Sequence, residues 1–170
     1  MVSVNITIKS FLARNTPVIL LFTSILNEID FNNTELKYFS FNFAYILIFY
    51  YNVKRENGIG YTFIFIAGLF NDVVNGLPMG LSSLCYLLLC VAASYLRNIT
   101  LRPSLIKDWI FFLITIFILN FITFTYLILF LDYEVNYFDQ MINIMFTFIL
   151  YLIFSYLFKF YDNIILGRHK

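Results

Sequence analysis

Long apolar runs separated by short polar interruptions dominate the pattern of this chain. The hydrocarbon core of a bilayer is about 30 Å thick and needs about 20 apolar residues per helix, or fewer where flanking side chains reach the interface. Six runs come close to that length, at residues 11–26, 38–53, 59–74, 77–96, 105–131 and 137–160. We therefore predict an all-α fold: a polytopic six-transmembrane-helix bundle that forms a single integral-membrane domain, residues 1–170.

The basic residues between these runs indicate an orientation. With both termini in the cytoplasm, ten of the eleven Lys and Arg residues lie on the cytoplasmic side and only Lys37 lies outside. Cytoplasmic loops of membrane proteins carry such an excess of Lys and Arg. The pattern therefore predicts a multi-pass protein with an even number of spans and both termini cytoplasmic.

Composition narrows the class of protein further. Of the 170 residues, 61% are hydrophobic and only 12% are charged. A soluble domain of this size has too little interior to bury so much apolar surface, so lipid must be the solvent for much of the chain. The formal net charge of +1 argues against a nucleic-acid partner, because nucleic-acid-binding proteins carry clustered positive charge.

The sequence offers little for catalysis, and we expect no enzyme, no metal site and no cofactor. The single histidine, His169, belongs to a basic tail, and no run contains a nucleophile beside a base or acids at metal-binding spacing. The acids at 132, 134 and 139 favour a solvated outer loop over a site that acts on lipid-linked sugars. Cys85 and Cys90 lie on poorly matched helix faces, which favours small packing residues over a disulfide or metal pair.

One polar interruption stands out, at residues 68–81, where an acid, two amides, three glycines and a proline meet. Asn75 and Gly76 suit a helix end, because both tolerate the left-handed conformation. Pro78 suits the first turn of the next helix. We predict a tight helical hairpin with Asp72 close to its tip. Two interpretations of Asp72 stay open: a cap on the following helix, or a polar anchor for a partner subunit or ligand.

Small and amide residues line one face of the helix before this turn. Gly68 lies with Ala67, Asn71 and Asn75 at helical spacing. The small side chains among them permit close approach by a neighbouring helix. Packing inside the bundle is favoured over packing on another protein. For the same reason, we expect a leucine at Gly80 to crowd the hairpin. Ser82 and Ser83 can bond to carbonyls of their own helix, so they indicate little.

The hairpin carries a spaced pattern, Gly68-x-x-x-Asp72-x-x-x-Gly76-x-Pro78-x-Gly80, and the helix after it ends in Ala92-Ala93-Ser94-Tyr95-Leu96. This pattern resembles the MreD family of rod-shape-determining membrane proteins, in which a glycine-containing helix leads into an Asp, a Gly-x-Pro-x-Gly-like turn and a Leu-rich helix. The resemblance extends more loosely to length, six spans, short loops and an aromatic-rich second span. One departure is the missing proline in Phe39-Ser40-Phe41-Asn42.

The resemblance implies a non-catalytic scaffold of the cell-wall elongation machinery in the bacterial inner membrane. Its implied partners are an MreC-like protein, the RodA glycosyltransferase with its class B penicillin-binding protein, the MreB cytoskeleton and membrane lipid. Lys54-Arg55 and residues 97–107 would face the cytoskeleton or anionic lipid, with lipid favoured. The residues that would form its structural or partner-binding hairpin are Gly68, Asn71, Asp72, Asn75, Gly76, Pro78 and Gly80.

The family also resembles the substrate-binding subunits of energy-coupling-factor transporters in its six-helix architecture. That likeness provides an alternative function, a small-molecule-binding membrane subunit of a vitamin transporter. Such subunits usually carry an Ala-x-x-x-Ala face on the first span, and here Ala13 is the only alanine of residues 11–26. Its absence counts against transport.

Overall fold

Six α-helices make up the part of the chain that the structure, a computed structural model, describes: residues 15–25, 41–56, 58–100, 104–131 and 137–166. They are α1 (Asn15–Ile25), α2 (Phe43–Lys54), α3 (Tyr61–Asn75), α4 (Leu81–Ile99), α5 (Leu105–Leu131) and α6 (Tyr137–Leu166). The described residues contain no β-strand. The predicted all-α class is therefore confirmed.

Three of these helices are long and apolar enough to cross a membrane, namely α4, α5 and α6. The helices α1 and α3 are apolar but shorter. The twelve residues of α2 extend only about 18 Å at 1.5 Å per residue, which is less than the thickness of a hydrocarbon core. The structure thus supports membrane-spanning character for three helices, while the full six-span arrangement stays a prediction.

The observed helix ends follow capping groups that hydropathy does not reveal. Helix α2 begins at Phe43 rather than at 38, because Asn42 caps it and accepts a hydrogen bond from the backbone N–H of Tyr45 at 3.1 Å. Residues 38–40 lie outside the described part of the chain. Helix α4 begins at Leu81 rather than at 77, and α6 continues to Leu166 rather than to 160. Helix α5 coincides with the predicted run 105–131.

Helix α2 lies at the centre of the bundle. Ten consecutive residues, 44–53, are buried, and the helix contacts α4, α5 and α6. A helix that is buried on all sides must be largely apolar, and within this run only Asn52 departs from that, with its amide donating to the carbonyl oxygen of Ile48 at 2.7 Å. Aromatic rings fill the surrounding space: the ring of Phe49 lies 5.0 Å from that of Phe112 and 5.8 Å from that of Tyr151.

The other helices add to this centre. Helices α3 and α4 pack side by side as a hairpin, and α4 also contacts α2 and α5. On α1 the buried residues Pro17, Leu21 and Ile25 recur at every fourth position and form one face of the helix. Phe22 of α1 meets Phe70 of α3 edge to face, with ring centroids 6.0 Å apart. The predicted hairpin is thus one outer element of the bundle.

Candidate functional site

Asp72 caps the helix that follows the hairpin turn. Its side chain is fully buried, with Oδ2 2.7 Å from the backbone nitrogen of Gly80 and Oδ1 2.8 Å from that of Ser82. The first N–H groups of a helix have no partner within the helix and lie at the positive end of its dipole, so a carboxylate is favoured there. Of the two interpretations that the sequence left open, the geometry is that of a cap. A contact with a partner subunit stays a prediction.

The cap is unusual because it comes from the preceding helix. The residue at the N-cap position of α4 is Gly80, which has no side chain to accept a hydrogen bond. An N-cap side chain ordinarily accepts from the second or third residue of its own helix. Asp72 takes that role from α3, since Ser82 is the second residue of α4. The pairing therefore fixes the position of one helix relative to the other.

The backbone of Asp72 closes the opposite side of the turn. Its carbonyl oxygen accepts a hydrogen bond from Leu77 at 2.9 Å and another from Gly76. Gly76 has φ 64° and ψ 26°, the left-handed conformation that a helix end of this type requires. The prediction that Asn75 and Gly76 end the third helix is confirmed.

Gly80 and Pro78 act differently from the sequence-based expectation. The carbonyl oxygen of Pro78 accepts from the N–H of Leu81 at 3.2 Å, and Gly80 has φ 99° and ψ −13°, values typical of the third position of a type II turn. The placement of Pro78 in the first turn of the next helix is therefore wrong, because this turn precedes the helix. Crowding at Gly80 is also wrong: a Cβ built there meets no described atom within 4 Å. Its left-handed backbone, not close packing, requires glycine.

Close packing occurs instead at Gly68, as the small-residue face predicts. A Cβ built on Gly68 would overlap Cα of Ser83 and lie 2.6 Å from the backbone nitrogen of the same residue. Real Cβ atoms do not approach other atoms so closely, so only glycine permits this contact between α3 and α4. Ala67 beside it is fully buried. The expected packing within the bundle is confirmed at this position.

Side-chain hydrogen bonds join the same two helices. Asn71 donates from Nδ2 to Oγ of Ser82 at 2.9 Å, and Ser83 donates from Oγ to the carbonyl oxygen of Phe65 at 2.9 Å. Asn75 donates from Nδ2 to the carbonyl oxygen of Asn71 in its own helix at 3.1 Å. Sequence reasoning missed Ser82 and Ser83, because serines in apolar helices commonly bond within their own helix. Their position opposite Asn71 and Gly68 is apparent only once the hairpin is folded.

The opposite end of the bundle holds a second polar group that the sequence did not predict. Lys54 Nζ lies 2.8 Å from Oδ2 of Asp108, and Arg55 Nη2 lies 2.7 Å from Oδ1 of Asp162. Both basic residues, expected to face the cytoskeleton or lipid, are thus paired with acids of α5 and α6. A sequence signal existed for Asp108, since an acid in the first turn of a helix is favoured by the dipole.

Arg97 completes this end. Its Nη1 lies 2.9 Å from the carbonyl oxygen of Asn52, 2.7 Å from that of Arg55 and 3.3 Å from that of Glu56. The last carbonyls of a helix lack partners within it, and a cation satisfies them well. Arg97 therefore holds the C-terminal end of α2 from α4, much as Asp72 holds the start of α4 from α3.

The described residues contain no cluster of three or more side chains that could hold a metal ion, and Cys85 and Cys90 are buried free thiols. The two cysteines pack as expected: Cys85 contacts Thr123 of α5, and Cys90 contacts Asn52 of α2. His169 and the acids at 132 and 134 lie outside the described residues.

Comparison with known proteins finds no relative of this chain. The resemblance of the hairpin to the MreD family therefore stays a prediction that depends on the spaced residues from Gly68 to Gly80. No family model, no curated protein and no solved structure matches this chain.

Proposed function

We propose that this chain is a non-catalytic scaffold of the bacterial inner membrane, a subunit of the cell-wall elongation complex of the MreD type. The observation that carries the proposal is the double role of Asp72 in the hairpin. Both carboxylate oxygens accept backbone N–H groups of α4, and the backbone oxygen closes α3. A buried acid used in this way fixes the geometry of a helix pair.

The remaining residues of the pattern support the same proposal. Gly68 permits the close approach to α4, while Gly76 and Gly80 adopt left-handed backbone conformations. The three glycines and the acid of the pattern that resembles MreD thus have a physical reason inside the fold. The pattern would preserve a rigid hairpin, and a scaffold needs such a rigid element.

The outer face of the hairpin offers a surface to membrane helices. Phe63 of α3 and Leu84 and Val91 of α4 are exposed apolar side chains. A single-span, MreC-like protein and the membrane-embedded synthases are partners that this chemistry suits. In the proposed arrangement, six helices span the membrane, both termini are cytoplasmic and MreB filaments lie on the cytoplasmic side.

Affinity purification tests the proposal. The tagged full-length protein would be isolated from its own membranes in mild detergent, and the proteins that accompany it identified by mass spectrometry. A tagged multi-pass membrane protein of unrelated function, produced at the same level, is the control. We expect an MreC-like protein, together with RodA or its transpeptidase, to accompany this protein and to be missing from the control purification. Recovery of two ATPases with a coupling subunit would contradict the scaffold function and favour the transporter alternative.

A further inference from the structure

A cavity of about 250 Å³ opens at the end of the bundle opposite the hairpin turn, where α2, α4 and α5 meet. It lies where the last turns of α2 and α4 approach the first turn of α5. Its lining combines polar and apolar side chains: Val53, Lys54, Leu96, Arg97, Thr100 and Asp108. Neither the proposed scaffold function nor the hairpin uses this cavity.

The lining carries one uncompensated positive charge. Lys54 and the almost fully buried Asp108 form an ion pair at 2.8 Å, so the acid is neutralised by its neighbour. Arg97 has no acidic partner among the described residues. Two cations against one acid leave a net charge of +1 in the lining, which favours an anionic ligand.

Arg97 and Thr100 also have hydrogen-bond donors to spare. Arg97 uses Nη1 for the carbonyls at the end of α2, which fixes the guanidinium, and within the described chain Nη2 and Nε have no partner. The hydroxyl of Thr100 likewise makes no hydrogen bond to a described residue. A fixed guanidinium is well suited to phosphate oxygens, which it can bind through two parallel N–H groups.

Apolar surface on the two outer helices indicates a lipid as the source of that phosphate. Tyr95 and Ile99 of α4 and Ile106 and Ile110 of α5 are exposed. Acyl chains can cover such side chains, whereas a free phosphate ion leaves them uncovered. In the predicted orientation this end of the bundle faces the cytoplasm, and basic pockets between transmembrane helices on that side bind anionic headgroups. We propose that this cavity binds the phosphate of an anionic glycerophospholipid, with Arg97, Thr100 and Lys54 as donors.

Native mass spectrometry of the full-length protein, titrated with phosphatidylglycerol or with zwitterionic phosphatidylcholine, tests the proposal. The double variant Lys54→Gln/Asp108→Asn removes the ammonium donor of Lys54, while Arg97, the net charge of +1 in the lining and the net charge of the protein stay the same. We expect it to bind phosphatidylglycerol about tenfold more weakly than the native protein. The variant Thr100→Val removes only a hydroxyl without a described partner, and we expect about a fivefold loss.

The variant Lys159→Gln is the matched control. It removes an exposed cation of α6 that does not line the cavity, so we expect native affinity. Thermal unfolding of each variant shows whether it is folded. Thr100→Val breaks no hydrogen bond to a described residue, so it still tests the site if the double variant unfolds. Native affinity in both cavity variants, or equal binding of both lipids, would overturn the proposal. Inorganic phosphate that binds as tightly as the lipid would overturn the assignment to a phospholipid.

Discussion

Asp72 and Gly80 are joined by a hydrogen bond of 2.7 Å between the carboxylate Oδ2 and the backbone nitrogen, across the turn that connects α3 to α4. The backbone oxygen of Asp72 accepts the N–H of Leu77 at 2.9 Å in the same turn. One residue therefore ends the first helix and begins the second. Loss of its side chain would open the start of α4 while leaving the end of α3 closed.

Replacing Asp72 by alanine should destabilise the protein by about 2 kcal/mol, because the buried N–H of Ser82 and the half-buried N–H of Gly80 lose their acceptor. Asp72→Asn keeps one oxygen acceptor, so its stability should lie between that of Asp72→Ala and that of the native protein. The measurement is the thermal unfolding midpoint of the purified protein in detergent. Glu56→Ala, which removes an exposed carboxylate, is the control and should unfold like the native protein. Equal midpoints for Asp72→Ala and the native protein would show that the cap contributes nothing.

Replacing Gly68 by alanine should also destabilise the protein, by about 1–3 kcal/mol, because the new methyl group meets the backbone of Ser83. The sign of the change in stability is what distinguishes this prediction from the ordinary effect of such a substitution. In the interior of a helix, exchange of glycine for alanine ordinarily stabilises by about 0.5–1 kcal/mol. A raised unfolding midpoint for Gly68→Ala would therefore contradict the close contact between α3 and α4.

The sequence predicted much of the hairpin because its signals are local. Gly76 ends a helix through its own backbone conformation, and Asp72 followed by a turn indicates a cap within a short stretch. The start of α4 at Leu81 was not predicted, since apolar residues continue through Leu77 and only the fold shows that a turn at Pro78 precedes the helix. The pairing of Lys54 with Asp108 joins residues far apart in the chain, which no local pattern encodes.

Arg97 offers a test of the basic end. Replacing it by methionine should destabilise the protein by about 2 kcal/mol, since the final carbonyls of α2 lose a charged donor. Arg97→Lys retains a cation but lacks the planar guanidinium, so it should recover only part of the loss. Hydrogen exchange by mass spectrometry should become faster at the end of α2 in both variants. Unchanged exchange at the end of α2 would show that Arg97 does not stabilise that end of the helix.

The predicted orientation can be tested by labelling single cysteines. In a Cys85→Ala/Cys90→Ala background, Met79→Cys places a thiol in the turn, where Met79 is 77% exposed, and Glu56→Cys places one at the basic end. We expect a membrane-impermeant maleimide to label position 79 in intact bacterial spheroplasts. Position 56 should react only after the membrane is permeabilised. The reverse pattern would contradict cytoplasmic termini.

Amide hydrogen exchange at Gly80 and Ser82, followed by NMR in detergent micelles, tests most directly whether Asp72 closes the hairpin. Both amides should be protected in the native protein, and Asp72→Ala should make both exchange at least about tenfold faster. The amide of Thr100, bonded within α4 to Leu96 at the other end of the helix, should not change. Unprotected amides at positions 80 and 82 in the native protein would contradict the cap and the rigid hairpin derived from it.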